Sequence, residues 1–141
     1  MLKLASDSTT MSRDFDVMRT IHRSFSYCPT VLNVVEKLQW ISGKVESMCV
    51  ILPFYPKSLA DVIMIDFELP DNFVLRAALC GLATIKAMNA VGICHGDIKP
   101  SSMMLDSSSD VIVTIDFGVS APYGSTQIES SPYFPHGMLL I

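Results

Sequence analysis

The chain has 141 residues, a formal net charge of −4, and 50% hydrophobic against 17% charged residues. That length admits one domain at most, the apolar content excludes a disordered chain, and the acidic balance, with a pI near 5.2, excludes the basic footprint of a nucleic-acid or anionic-lipid binder. The mean hydropathy of +0.41 is high for a free-standing soluble domain, which raises the question of what covers so much apolar surface.

A bilayer is not the expected cover. A spanning helix needs about 18 or more consecutive apolar residues. The longest run, Met48 to Tyr55, is interrupted by Pro53, and the apolar stretch Ala77 to Ile85 lies between Arg76 and Lys86. Met1-Leu2-Lys3-Leu4 opens no long apolar segment, so no signal peptide is expected, and a cytoplasmic or nuclear location is. Cys28, Cys49, Cys80 and Cys94 are scattered without a C-x-x-C pair, which predicts free thiols in a reducing compartment rather than a zinc site or a disulfide framework.

In chain order, Asp7, Ser8 or Thr9 can cap a first helix, and Phe15, Met18, Ile21, His22 and Phe25 follow at helical spacing. Cys28-Pro29 ends it, because the residue before a proline avoids the α region. Val31 to Val35 and Leu38 to Ile41 read as strand, Ser42-Gly43-Lys44 as turn, and Met48 to Leu52 as a second strand, together a plausible antiparallel hairpin. Pro53 and Pro56 stiffen a connector. Ser58 can cap a brief helix through Ala60, Val62 and Ile63, and Pro70-Asp71-Asn72 opens the strongest helix of the chain. Its Val74, Ala78, Leu82 and Ile85, flanked by Leu75 and Leu79, form a wide apolar stripe, and Gly92 stops it. Met103 to Leu105 and Val111 to Ile115 are short β-prone pieces joined by the solvated turn Asp106-Ser-Ser-Ser-Asp110, and from Phe117 onward the chain reads as loop. The pattern is mixed α+β.

Two motifs carry the chemistry: His95-Gly96-Asp97-Ile98-Lys99-Pro100-Ser101-Ser102, and Ile115-Asp116-Phe117-Gly118. Each is weak alone, since a turn-capping or strand-end aspartate is the simpler reading. They stand, however, in a definite order: long amphipathic helix, first motif, hairpin, second motif. In this the sequence resembles the eukaryotic protein kinases, whose catalytic loop reads H-R-D-x-K-x-x-N and whose metal-binding turn reads D-F-G. Lys-Pro after the aspartate is similar to the serine/threonine branch.

The resemblance implies a partial two-lobed kinase fold: an N-lobe remnant over residues 1–52, a hinge over 53–57, and the start of a helical C-lobe over 58–141. It implies ATP and Mg²⁺ as cofactors and a protein substrate or partner. Asp97 would orient the substrate hydroxyl and accept its proton, and Lys99 would place positive charge on the transferring phosphate. Asp116 would hold Mg²⁺ with hard carboxylate oxygens. His95 and Phe117 would pack as a spine between the lobes. Leu52 would be the gatekeeper, Pro53 and Tyr55 would read adenine through backbone groups, and Met104 would lie beneath the ring. A proline at 53 is harmless there, because only its carbonyl is needed. Lys3 is the candidate strand lysine. Most of the nine methionines are expected to be simple core.

The departures are as informative. Ser102 stands where the second metal-binding asparagine is expected, and a hydroxyl is a shorter and poorer ligand. Gly96 replaces an arginine that would receive an activation-loop phosphate, so no such switch, through Ser125, Thr126 or Ser130, is expected. No glutamate precedes Glu36; Asp14 and Asp16 are the nearest acids, and alignment on the Pro29 loop puts Arg19 near the glutamate's place. No glycine-rich loop precedes Lys3, and Ser131 to His136 resembles a degraded end of the activation segment. The expected function is therefore a serine/threonine kinase-like domain with impaired catalysis. The alternatives are an inactive pseudokinase or truncated interaction fragment, and an unrelated α+β binding module. The apolar faces of interior pieces of such a fold would be left exposed.

Overall fold

The computed structural model describes residues 2–5, 8–42, 45–65 and 68–125. Within them the chain forms three α-helices and small antiparallel sheets, an α+β arrangement compatible with a piece of a kinase domain. Gly43, Lys44, Thr126, Ser130 and the Ser131 to His136 segment lie outside the described residues.

The first sheet has the order β1-β3-β2, with β1 Leu2–Ala5, β2 Glu36–Ser42 and β3 Val45–Ile51. The hairpin expected from the sequence is present, with Glu36 opposite Ile51 and Ser42 opposite Val45. β1 adds antiparallel to the other edge of β3 and sets Lys3 opposite Val50. Helix α1, Ser8–Ser24, packs against this sheet through Val17, Met18 and Ile21, all buried. It ends short of Phe25 and Cys28-Pro29, and the Phe25 N–H closes its last turn on the Ile21 carbonyl.

One expected strand is absent. Residues 32–35 are not strand; only Val31 forms an isolated parallel bridge, to Thr114. The apolar run is real, but Val31 and Leu32 are used as plugs: both are buried, and His22 Nε2 meets their carbonyls at 3.2 and 3.3 Å. A strand needs a neighbour along its length, and here the chain crosses the core instead.

After the hairpin, the connector leads to β4 Lys57–Ser58 and helix α2 Leu59–Ile65. Ser58 caps α2 as expected. Its hydroxyl accepts the Asp61 N–H at 3.2 Å, and Asp61 accepts the Ser58 N–H and hydroxyl in return, a reciprocal box. Those bonds hold the Asp61 carboxyl below its usual range. Helix α3, Asp71–Ala90, is followed by Gly92 at φ 74, a left-handed position suited to glycine. The short strand β5 Ile93–Cys94 leads into the first motif. Then come β6 Met103–Leu105 and β7 Ile112–Thr114, and the chain returns to β5 through β8 Ala121–Pro122.

The buried face of α3 differs from its apolar stripe. Ala77, Gly81, Thr84, Ala87 and Met88 are buried, facing β7 and β5, whereas Val74, Leu75, Leu79 and Leu82 are each more than half exposed. Small side chains let the helix approach the strands closely; the large ones point outward. By length and composition alone α3 could cross a membrane, with a mean hydropathy of 1.3, but it carries Arg76 and Lys86 and is seated on strands through its small-residue face. One core cluster joins the parts: Val17, Met18 and Ile21 of α1, Val31 and Leu32, Leu52, Met88 of α3, Val113 of β7 and Phe117.

Candidate functional site

A cavity of about 260 Å³ opens where the hairpin, α1 and the β6–β7 region meet. Leu32, Leu52, Met104 and Ile115 give it apolar walls, Pro53 and Tyr55 line one end, and Asp14 and Asp116 bring carboxylates to it. Four residues expected at a nucleotide site, Leu52, Pro53, Tyr55 and Met104, thus share one cavity with Asp116, although they come from segments far apart in sequence. Among the described residues, neither the Pro53 carbonyl nor the Tyr55 N–H takes an intramolecular backbone hydrogen bond, so both remain available. Burial pushes the Tyr55 phenol up, and the Asp106 carboxylate adds to it. Of Lys3 the backbone alone is described; its strand borders β3, which runs into Leu52.

The first motif is a loop braced from within. Ser102 is buried and opens its hydroxyl to three backbone partners. It accepts the Lys99 N–H at 3.0 Å, and its proton is shared between the carbonyls of Lys99 at 2.9 Å and Asp97 at 3.1 Å. That hydroxyl is committed to holding the loop shut, and Ser102 is not among the residues lining the cavity. The Lys99 ammonium forms an ion pair with the Asp97 carboxylate. His95 is buried, its Nδ1 accepts the Asp97 N–H at 3.3 Å, and its ring stands 4.9 Å from that of Phe117 at 50°. Burial pushes the imidazole below its ordinary value; the Ile115 backbone and the Asp116, Asp97 and Asp14 carboxylates oppose that with smaller effects. Gly96 has φ 85, and a Cβ there would lie 3.0 Å from the Val119 carbonyl oxygen.

The second motif begins where β7 ends. The Ile115 N–H donates to the Ser102 carbonyl at 2.8 Å, which ties the two motifs together. Asp116 has φ 67, the one non-glycine positive φ among the described residues. A left-handed aspartate is strained by about 1 kcal/mol or more and persists when its surroundings over-determine it. Those surroundings are Phe117, fully buried against His95, and a turn closed by the Ser120 N–H on the Phe117 carbonyl at 2.9 Å. The Ser120 hydroxyl donates to the His95 carbonyl at 3.2 Å. The expected packing of His95 on Phe117 is therefore present.

Helix α1 corrects one expectation. Arg19 does not face the site: it is about half exposed, pairs with Asp16 at 3.3 Å, and stands 5.3 Å from the Phe15 ring. The residues that α1 turns into the cavity are Met18 and an acid, Asp14, 5% exposed. Counting back from the Pro29 loop misjudged the register because the helix stops at Ser24 and irregular chain fills the gap. The signal available in the sequence was an acid among apolar residues one turn before Met18.

The donor set suits a purine and a hard cation. The walls are apolar, backbone donor and acceptor groups are available at one end, and the Asp116 carboxylate supplies the kind of oxygen that Mg²⁺ takes, one or two carboxylates sufficing when phosphates and water complete the shell. Ser102 does not add to that set.

No family model matches the chain. Comparison with curated proteins finds similarity to the serine/threonine-protein kinase US3 homolog of Gallid herpesvirus 2 (strain GA), 25% identical over 121 residues, which is 85% of this chain and 27% of that protein. Mitogen-activated protein kinase kinase 10 of Arabidopsis thaliana is 25% identical over 114 residues, 80% of this chain and 34% of that protein. The probable serine/threonine-protein kinase glkA of Dictyostelium discoideum is 25% identical over 118 residues, 82% of this chain and 23% of that protein. These matches support a protein-kinase relationship at family level. The chain spans between 23% and 34% of the length of these kinase relatives, and kinases in general use ATP and Mg²⁺.

Proposed function

We propose that this chain is a kinase-like nucleotide-binding unit, with residues 1–52 as N-lobe portion, 53–57 as hinge and 58–141 as the start of the C-lobe. The observation that carries the reading is the single cavity shared by Leu52, Pro53, Tyr55, Met104 and Asp116. In it the adenine ring of ATP would lie between the Leu52 and Met104 side chains, hydrogen-bonded by the Pro53 carbonyl and the Tyr55 N–H. Asp116 would hold Mg²⁺, which when bound neutralises phosphate charge. Lys3 is proposed for the phosphates, and the buried Asp14 for the acid of α1.

The activity of the family is transfer of the ATP γ-phosphate to protein Ser or Thr hydroxyls. In this chain Asp97 would orient the acceptor hydroxyl and take its proton, with Lys99 keeping the carboxylate in place until the phosphate arrives. A second reading, nucleotide binding without turnover, is favoured by a specific observation: the Ser102 hydroxyl, standing where a second metal ligand is expected, already accepts the Lys99 N–H and does not line the cavity. Positioning and electrostatics are most of what a kinase contributes, so one missing ligand weighs on turnover more than on binding.

Thermal denaturation with Mg-ATP tests the binding step. Ligand at about 100 times its Kd stabilises by roughly 2.7 kcal/mol, and absence of any shift would sink both readings. Transfer of labelled phosphate to a generic protein substrate, with Asp97→Asn as the control, separates them.

A further inference from the structure

The metal turn is tied on two sides. On the catalytic-loop side the tie is the Ser120 hydroxyl on the His95 carbonyl. On the α1 side it is Arg13, whose guanidinium Nη1 donates to the Gly118 carbonyl at 3.3 Å across 105 positions of sequence. Gly118 is buried and follows directly on the strained Asp116 and the fully buried Phe117. Arg13 is also the helical neighbour of Asp14, so the same turn of α1 places a carboxylate in the cavity and a cation on the back of the metal turn.

We propose that Arg13 is a positioning residue that couples α1 to the metal turn and thereby sets the orientation of Asp116. The guanidinium brings a cationic donor to the Gly118 carbonyl, and at 3.3 Å the bond lies at the long end of the range. It acts two residues from a conformation that does not hold itself. With the bond in place, the turn is held at the Gly118 carbonyl by α1 and at the Ser120 hydroxyl by the catalytic loop. With it lost, the α1 tie is gone, and Asp116 is freer to relax from φ 67 toward the ordinary β region. A shift of α1 away from the C-terminal part would break this bond first, because the bond is long, polar and at the surface rim, whereas Val17, Met18 and Ile21 remain in the core.

The part of this inference that concerns Mg²⁺ rests on the nucleotide-site reading above, so the test has an arm free of it. Amide hydrogen exchange is followed over residues 115–121 in the nucleotide-free protein, for wild type, Arg13→Met, Arg13→Lys and Arg19→Met. Arg13→Met should speed exchange across the turn by about tenfold, and Arg13→Lys, which keeps a cationic donor, should recover part of it. Arg19→Met, which removes an exposed cation of the same helix, should leave the turn unchanged. Exchange as in wild type for Arg13→Met, or an equal effect of Arg19→Met, overturns the proposal. The second arm is the Mg²⁺ concentration needed for half-maximal binding of a fluorescent ATP analogue. It should rise about tenfold in Arg13→Met while metal-free affinity stays constant. If wild type binds no nucleotide, the site reading fails and the exchange arm still decides the coupling of Arg13 to the turn; if wild type binds and the Mg²⁺ requirement does not move, the effect on Asp116 is refuted alone.

Discussion

Thr84 lies fully buried near the C-terminal end of α3, and its single hydroxyl proton goes to the Thr30 carbonyl at 3.0 Å. The Thr114 hydroxyl, also fully buried and also 3.0 Å away, must therefore donate to Thr84. The Thr30 carbonyl has a second donor, the Thr114 N–H at 2.7 Å. This directionality makes the two threonines unequal. Thr84→Val leaves Thr30 satisfied but strands the Thr114 hydroxyl without an acceptor, and a buried hydroxyl so orphaned costs about 1–3 kcal/mol. Thr114→Val leaves the Thr84 proton on Thr30 and loses one bond, about 1 kcal/mol or less, with a β-branched residue still suited to the strand. In the double valine variant nothing is orphaned, so it should be no less stable than Thr84→Val alone. The expected coupling is about 1–2 kcal/mol. Urea unfolding with unchanged slope measures it, and at this chain length each kcal/mol should appear as about 3–5 °C in Tm. Strictly additive single effects, or Thr114→Val costing more than Thr84→Val, would refute the assigned direction of the chain of bonds. Because Thr114 is followed by Ile115 and Asp116, loss of this clamp should also weaken Mg-ATP binding in Thr84→Val.

Three further outcomes follow from the same geometry. His95 is held neutral by burial, so its folded value lies below the ordinary 6.5. The stabilisation is complete above that value and is lost as pH falls through the folded one. Tm should therefore drop as pH is lowered from about 7 toward 5, and His95→Phe, which retains a ring against Phe117, should flatten that part of the profile. A slope unchanged by the substitution would argue against His95 as its source. Met88→Ala on the buried side of α3 should cost about 2–5 kcal/mol in urea unfolding, whereas Leu79→Gln on the outward side should stay within about 0.5 kcal/mol. Ser102→Ala should lower stability by about 1–3 kcal/mol, and its Mg²⁺ requirement for nucleotide binding should match wild type; a raised requirement would restore Ser102 as a ligand.

The two motifs were legible because they are unbroken and carry their own turn chemistry, and their resemblance to the kinase pattern is what pointed to His95, Asp97, Asp116 and Phe117. The same resemblance pointed to Leu52, Pro53 and Tyr55, where an apolar strand run meets a proline, and the cavity gathers these three with Asp116 but not Asp97. Asp14 was not legible, since a buried carboxylate on a helix is distinguished from a solvated one by register, and the register depended on where α1 ends. The two-residue strands β5 and β8 carry no periodicity to read. The apolar stripe of α3 pointed the wrong way for a different reason. Burial of Ala77, Gly81 and Thr84 follows from how closely the helix approaches β7 and β5, which hydrophobicity alone does not encode, and the large residues opposite face outward. That exposed face contributes to the high mean hydropathy.

Gly96 bears on what the first motif tolerates. Where the kinase pattern has arginine, the backbone here stands at φ 85 with the Val119 carbonyl oxygen at 3.0 Å from the position of a Cβ. Restoring arginine by one substitution would meet about 1–2 kcal/mol of left-handed strain and a contact at 3.0 Å that yields only if Val119 retreats. Val119 belongs to the turn that carries Asp116, so the retreat would disturb that carboxylate as well. The turn after Asp116 is thus packed against the bare backbone at position 96, so a side chain placed there would be felt in both motifs.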